Sequence, residues 1–310
     1  MARTHPSRPV KIEQFSLPLF AFTVLTTLAC ILGLLWWAFP TVSAAQYTTS
    51  WTRVLLVFLM VSLGLCFFEF FFHRYVLHQP ALPFVRRLYR QHTLHHGLTR
   101  IVRKHRTNGP DILMVVENKF PIVEVEQGEA SFFPWFTLAI FAILMSPLLA
   151  LGHWLLPSYP WFLGGYLALS SSLTLYEMFH AINHWPIEKW LPLLEHPRWK
   201  WFWHPAYSFH LRHHAVIDCN ESISGLFGIP LADWVFGTCV VPKSIYADGD
   251  EWKESEFSRP RPRWLIRVVD AWIKGVVQRR RQSARGGVVE KTQEEVDLAL
   301  GKMTESNVET

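Results

Sequence analysis

The sequence predicts an all-α, polytopic membrane protein: four transmembrane helices in two hairpins, with a cytoplasmic helical cap rich in histidine. Three observations carry this expectation. Half of the 310 residues are hydrophobic, and long segments contain no charge. Fifteen tryptophans suit the two bilayer interfaces, where the ring is buried and its N–H stays wet. Ten of the fifteen histidines fall in four groups that follow apolar segments or lie just downstream of them.

The first span is expected at 17–39. Residues 15–39 carry no charge, and at about 1.5 Å per residue they can cross a hydrocarbon core of roughly 30 Å. The second, 54–72, contains one charge, Glu69. Residues 130–176 contain no Asp, Glu, Lys or Arg, a stretch too long for one crossing. The Gly- and Pro-bearing piece "GHWLLPSYP" at 152–160 divides it into spans at 132–151 and 161–179. Helices of a soluble core rarely run so long without charge. A cleaved signal peptide ending near "VSAAQ" (42–46) is the rival reading of the first span, but the apolar stretch before it exceeds a signal h-region.

With four crossings, both termini and the 73–129 segment share one side. That side holds 29 of the 30 basic residues, and only Arg53 falls on the other. Lys and Arg mark the cytoplasmic side. The expectation is therefore an integral multi-pass protein of an inner, plasma or endoplasmic reticulum membrane, with its termini and histidines cytoplasmic. The cap comprises 73–129 and 180–260. Residues 262–281 place Leu265, Val269, Trp272, Ile273 and Val276 on one helical face, with Arg267 and Lys274 elsewhere. This suits an interfacial helix against the cytoplasmic leaflet, or one packed on the cap. One domain covers 1–285, and the polar stretch 286–310 reads as a flexible tail.

The histidine groups are His73 and His78; His92, His95 and His96; His180 and His184; and His210, His213 and His214. "HTLHH" and "HLRHH" have i, i+3, i+4 spacing, which shares a helix face, and "HAINH" is an i, i+4 pair. His73 and His78 stand i, i+5, about 140° apart on an ideal helix, so that pair needs a helix end or distortion near Pro80. Converging imidazoles repel when protonated and are costly to bury unpaired. A metal solves both problems, since neutral imidazole suits iron, zinc, copper and nickel. Ten ligands exceed one metal's need and suit two metals with four or five nitrogens each. Two divalent ions held by neutral ligands favour nearby carboxylates. Glu69, Glu177, Asp218 and Glu221 are expected as partners of the ligands or occasional ligands. His5, His105, His153, His196 and His204 read as interfacial or packing residues. The four cysteines form no C-x-x-C pair and read as buried, inert thiols.

"HRYVLH", "HTLHH", "HAINH" and "HLRHH" resemble, in order, the histidine boxes of the fatty acid hydroxylase/sterol desaturase superfamily. "CNESISGLFGIPLADWVFGT" (219–238) is similar to that superfamily's ending, with an Asn and Gly after the last box and then D-x-V-F-G-T. The likeness covers roughly 60–240. Its H-x4-H first box and H-x3-H third box look most like the acyl-lipid and sphingolipid 2-hydroxylases. The resemblance implies a non-haem dimetal centre, usually two iron ions, that uses O2 to hydroxylate or desaturate an apolar chain. Zinc could occupy the same nitrogens after purification. The ten histidines are the implied ligands, and Asn220 matches the position that would hold a metal-bound water. The segment 97–130 is longer and more polar than the family pattern. No haem, ferredoxin or flavin motif is present, so electrons must come from a separate cytochrome b5, ferredoxin or reductase.

The implied substrate is a lipid from the bilayer, first a fatty acyl lipid, with sterol or carotenoid as alternatives. Two other classes compete. A metal transporter places its ligands near the bilayer midplane, whereas these histidines lie at span ends. A metal-dependent hydrolase would work with zinc and without oxygen. The basic stretch Arg86, Arg87, Arg90, Arg100, Arg103, Lys104 and Arg106 suits anionic headgroups, an acyl carrier or topology alone. Nucleic acid is not an expected partner, despite a net charge of +5.

Overall fold

The computed structural model describes residues 16–105, 112–118, 133–241, 246–247 and 259–283. The tail 286–310, His5 and parts of the 97–130 and 180–260 cap segments lie outside them. Helix α1 (Leu17–Ala38) ends before Pro40, which opens the short α2 (Pro40–Tyr47). Helix α3 (Trp51–Phe72) runs into a π-helical turn, His73–Leu77, and α4 (Arg86–Leu98) follows a 3-10 turn. Strands β1 (Thr99–His105) and β2 (Ile112–Asn118) come next. Helices α5 (Thr137–Leu155) and α6 (Trp161–Asn183) form the second long pair. The last described elements are α7 (Ile187–Leu194), α8 (Lys200–Ala215), α9 (Leu231–Phe236), β3 (Tyr246–Ala247) and α10 (264–283).

Among the described residues, three helices are long and apolar enough to cross a membrane: α1, α3 with its π-helical extension, and α5. Their outer faces are bare and apolar, with Phe22 66% and Trp37 80% exposed. A water-soluble surface does not sustain so large an apolar patch, and the chain is a membrane protein on this ground. Exposed Trp36, Trp37, Trp51 and Trp154 sit where α1 ends, α3 begins and α5 ends. Arg53 donates to the Ser158 carbonyl at 3.0 Å and lies over the Tyr159 ring, tying these ends together away from the histidines.

The fourth expected span is α6. It is a 23-residue helix, about 34 Å long, but Ser170, Ser171, Ser172, Thr174 and Glu177 make it less apolar than the other three. It compensates by position, with twelve of its residues buried among α1, α3 and α5. Gly164 and Gly165 permit this. A Cβ on Gly164 would lie 2.8 Å from Val57, and one on Gly165 would lie 2.4 Å from Leu149. Gln46 of α2, fully buried, accepts the Phe162 N–H at 3.1 Å and so serves one of the free amides at the α6 N-terminus. Leu65, Leu138, Ala142, Leu149, Tyr166 and Leu169 form the core of this bundle.

The fold is mostly helical rather than all-α. The 97–130 segment, expected within a helical cap, contains the antiparallel pair β1–β2, with Thr99 opposite Asn118 and His105 opposite Ile112; β3 extends the sheet. The β-branched residues of "TRIVRKH" and "ILMVVEN" favour strand over helix. Val115 is buried beside Trp190, Leu194, Tyr207 and Leu211, so the sheet braces α7 and α8. The C-terminal α10 packs Ile266, Val269, Ile273 and Val277 on the protein. Trp264, Leu265, Val268 and Trp272 face outward. The expected apolar face therefore divides into one buried and one exposed stripe.

Candidate metal centre

The ten histidines come from four elements that meet at one end of the bundle. His73, His78, His92, His96 and His213 form one group whose ligand nitrogens lie within 4.8 Å of one another. The other five form two triplets that share His184: His95, His184 and His214, and His180, His184 and His210. The two H-x-x-H-H segments do not each present a single face to one group. On α4, His92 and His96 join the first group and His95 the second; on α8, His210 and His214 join the second and His213 the first. The groups touch where the His96 and His214 rings stack at 4.4 Å.

The i, i+5 pair is reconciled by the backbone. At His73–Leu77 the helix widens, and the His78 N–H bonds to the His73 carbonyl at 3.0 Å. A π turn carries more residues than an α turn, so positions five apart come onto one side. The two rings then stand 4.7 Å apart.

Nitrogen spacing tests whether a metal fits. His73 and His92 Nε2 are 3.0 Å apart, and His78 Nε2 is 3.2 Å from those of both His92 and His213. In the second group, His180–His95 is 3.1 Å, and His210–His184 and His214–His210 are both 3.0 Å. Two nitrogens each about 2.1 Å from a common ion are separated by about 3.0 Å at a right angle and about 3.4 Å at a tetrahedral angle. The tautomers agree. The Nδ1 atoms of His73 and His213 meet the carbonyls of Glu221 and Cys219. A carbonyl only accepts, so these Nδ1 atoms carry the proton and Nε2 turns a lone pair inward. Among the described residues, the Nδ1 atoms of His96, His210 and His214 are buried without a partner. Lone pairs converging in a dry space repel unless a cation sits among them, so these histidine clusters could hold a metal ion.

Burial, reinforced by neighbouring imidazoles, holds His78, His92, His95, His96, His184, His210 and His214 well below the usual 6.5. Burial lowers His213 to about 4. The rings are thus neutral and ligand-ready near neutral pH. No thiolate competes: burial pushes Cys219 up to about 12 and Cys239 to about 11. The buried-thiol expectation holds for Cys66 and Cys219, whereas Cys30 is exposed on α1.

The expected carboxylate partners separate. Glu221 is fully buried, and its Oε2 lies 3.5 Å from His73 Nδ1 and 3.9 Å from His78 Nε2. Glu69 instead accepts the Ser224 and Gly225 N–H groups at 2.7 and 3.1 Å and the Ser224 hydroxyl, fastening the 219–230 loop to α3. Glu177 accepts the Phe133 N–H at 3.2 Å. Asp218 contributes its carbonyl, which accepts from Arg74 at 3.1 Å, while its carboxylate pairs with the exposed Arg259. Asn220 spends its amide on backbone, donating to the Phe209 and Val240 carbonyls and accepting the Val240 N–H. These bonds tie the loop to α8 and to the Val240 backbone.

Asp233 was legible only as part of the closing D-x-V-F-G-T motif. It is fully buried and accepts the N–H groups of Glu221 and Ser222, at 3.0 and 2.8 Å, and the Thr238 hydroxyl at 2.6 Å. It thereby sets the backbone that carries Glu221. His153, His196 and His204 belong to neither group; the His105 side chain lies outside the described residues.

An apolar groove between α3, α5 and α6 reaches the first group. Leu65, Phe68, Phe72, Phe141, Leu169 and Leu173 line it, and His73 stands at its end.

Comparison with protein-family models, curated proteins and solved structures finds no match to this chain. The likeness to the hydroxylase superfamily therefore rests on the histidine spacing and the closing motif.

Proposed function

We propose that this protein is a membrane-bound non-haem di-iron oxygenase that hydroxylates or desaturates a lipid chain, with a fatty acyl lipid as the first candidate. One observation carries the reading: ten imidazoles gather in two adjoining groups, the first of them reached by an apolar groove. Imidazole without thiolate suits a redox-active iron pair, and an apolar groove suits an alkyl chain. Two irons supply the O2 activation needed to break an unactivated C–H bond, which side chains cannot do.

The protein's own part is positioning and exclusion of water. Leu65, Phe68, Phe72 and Leu173 hold the chain against His73. The neutral histidines keep their lone pairs available, and the loop clamped by Glu69, Asn220 and Asp233 closes over the first group. In this reading α6 is the fourth span, α1–α3 and α5–α6 are the two hairpins, and both termini and the histidines are cytoplasmic, as the Lys and Arg distribution favours. The exposed stripe of α10 rests in the same leaflet. Electrons arrive from a separate redox protein.

Lipid profiling of cells with and without the gene tests this. The expected product is an acyl lipid heavier by one oxygen that takes label from 18O2, or one lighter by two hydrogens. Product formed without O2 rejects the oxygenase and favours a hydrolase; metal flux into vesicles favours a transporter.

A further inference from the structure

The two histidine groups are not equivalent: among the described residues, the buried carboxylate of Glu221 faces His73 and His78 of the first. Glu221 Oε1 accepts from Arg74 Nη1 at 2.8 Å. Its other oxygen, Oε2, is buried without a hydrogen-bond partner among the described residues, and this is the atom turned toward His73 and His78.

Arg74 decides which oxygen points where. Its guanidinium offers a rigid planar fork of donors. One edge grips Asp270 of α10 at two points, Nε to Oδ1 at 3.0 Å and Nη2 to Oδ2 at 2.7 Å. The remaining nitrogen, Nη1, reaches the Asp218 carbonyl and Glu221 Oε1. Asp270 is itself oriented by the Tyr75 hydroxyl at 2.8 Å. Without Asp270, the free edge of the fork can engage both Glu221 oxygens, since two-point pairing is the favoured arginine–carboxylate geometry. Oε2 would then turn away from the histidines.

We propose that Asp270 is a positioning residue for the first histidine group: through Arg74 it keeps the free oxygen of Glu221 against His73 and His78, so that this group holds its metal more tightly than it otherwise would. The inference rests on the dimetal reading. Burial raises the Glu221 carboxyl above the usual carboxylate range and Arg74 opposes that rise; ionised beside a bound cation it would favour that cation, and outer partners of this kind alter metal affinity about 10–100-fold.

The test uses the full chain in detergent, loaded with iron(II) under anaerobic conditions and challenged with a graded chelator, with metal per chain as the readout. Wild type is expected to retain two ions. At a chelator level that leaves wild type loaded, Asp270→Asn is expected to lose one, with about a 10–100-fold weaker site. Asp270→Glu, which keeps the charge, should recover part of that affinity. His78→Ala removes a ligand of the same group, so adding Asp270→Asn to it should cost no second metal. Equal retention of both metals in Asp270→Asn, equal loss of both, or loss of the second metal in the double variant overturns the proposal. A wild-type chain that binds no metal instead rejects the dimetal centre itself.

Discussion

His95 and His96 are neighbours in sequence yet serve different groups: His95 meets His180 with their Nε2 atoms 3.1 Å apart, while His96 meets His92 at 3.2 Å. A helix turns about 100° per residue, so α4 sits between the two groups and feeds both. Selective damage should therefore be possible. Replacing His78 by Ala should remove one metal and leave the other, and replacing His184 by Ala, which belongs to both triplets of the second group, should do the reverse. Metal analysis of the two variants checks this; either one losing both ions equally would show a single cooperative cluster.

Acid should weaken the protein in a defined direction. The unfolded histidines take a proton near 6.5, whereas the folded ones are held well below it and His213 near 4. Between these values the unfolded chain binds more protons, so stability falls as pH falls. Bound metal is lost in the same window, because protons compete for the lone pairs. Thermal unfolding of metal-free protein in detergent at pH 7 and pH 5 measures the effect. Equal stability at the two values would mean that the rings are open to solvent.

Asp233→Ala should destabilise the loop without touching a histidine. It strands two buried N–H groups and a hydroxyl, at a cost of about 2–4 kcal/mol. Asp233→Asn should cost less, since the amide oxygen still accepts. Urea or heat unfolding compares the two, and a silent Asp233→Ala would remove Asp233 from the account of the loop.

Groove geometry predicts a chain-length effect. Leu173 lines the groove along with Leu65 and Phe68. Leu173→Trp should shift turnover toward shorter chains while metal content stays at the wild-type level. Unchanged chain preference would place the substrate elsewhere.

Much of this arrangement was legible in the residues, and the gaps have physical causes. Uncharged runs disclose helices α1, α3 and α5 because length and apolarity alone define them. The ten histidines were legible because i, i+3, i+4 spacing is local. How they divide between the two groups was not, since that depends on where α4 and α8 sit relative to α3 and α6. The π turn at His73–Leu77 has no residue signature beyond its i, i+5 pair. The sheet escaped because its strands lie in a polar segment, where hydrophobic periodicity is weak. Carboxylates near in sequence to a histidine divide: Glu221, soon after His214, faces His73 and His78. Glu69 is four residues from His73 yet faces Ser224, while Asp270, almost two hundred residues away, reaches Arg74.

The alternation of α4 and α8 has a consequence for biogenesis. The first group draws on residues from His73 to His213 and the second on residues from His95 to His214. Until the ribosome has delivered α8, the first group is one imidazole short and the second lacks two of its five. On the dimetal reading, neither group is complete until α8 arrives, so full loading would follow insertion of the helices.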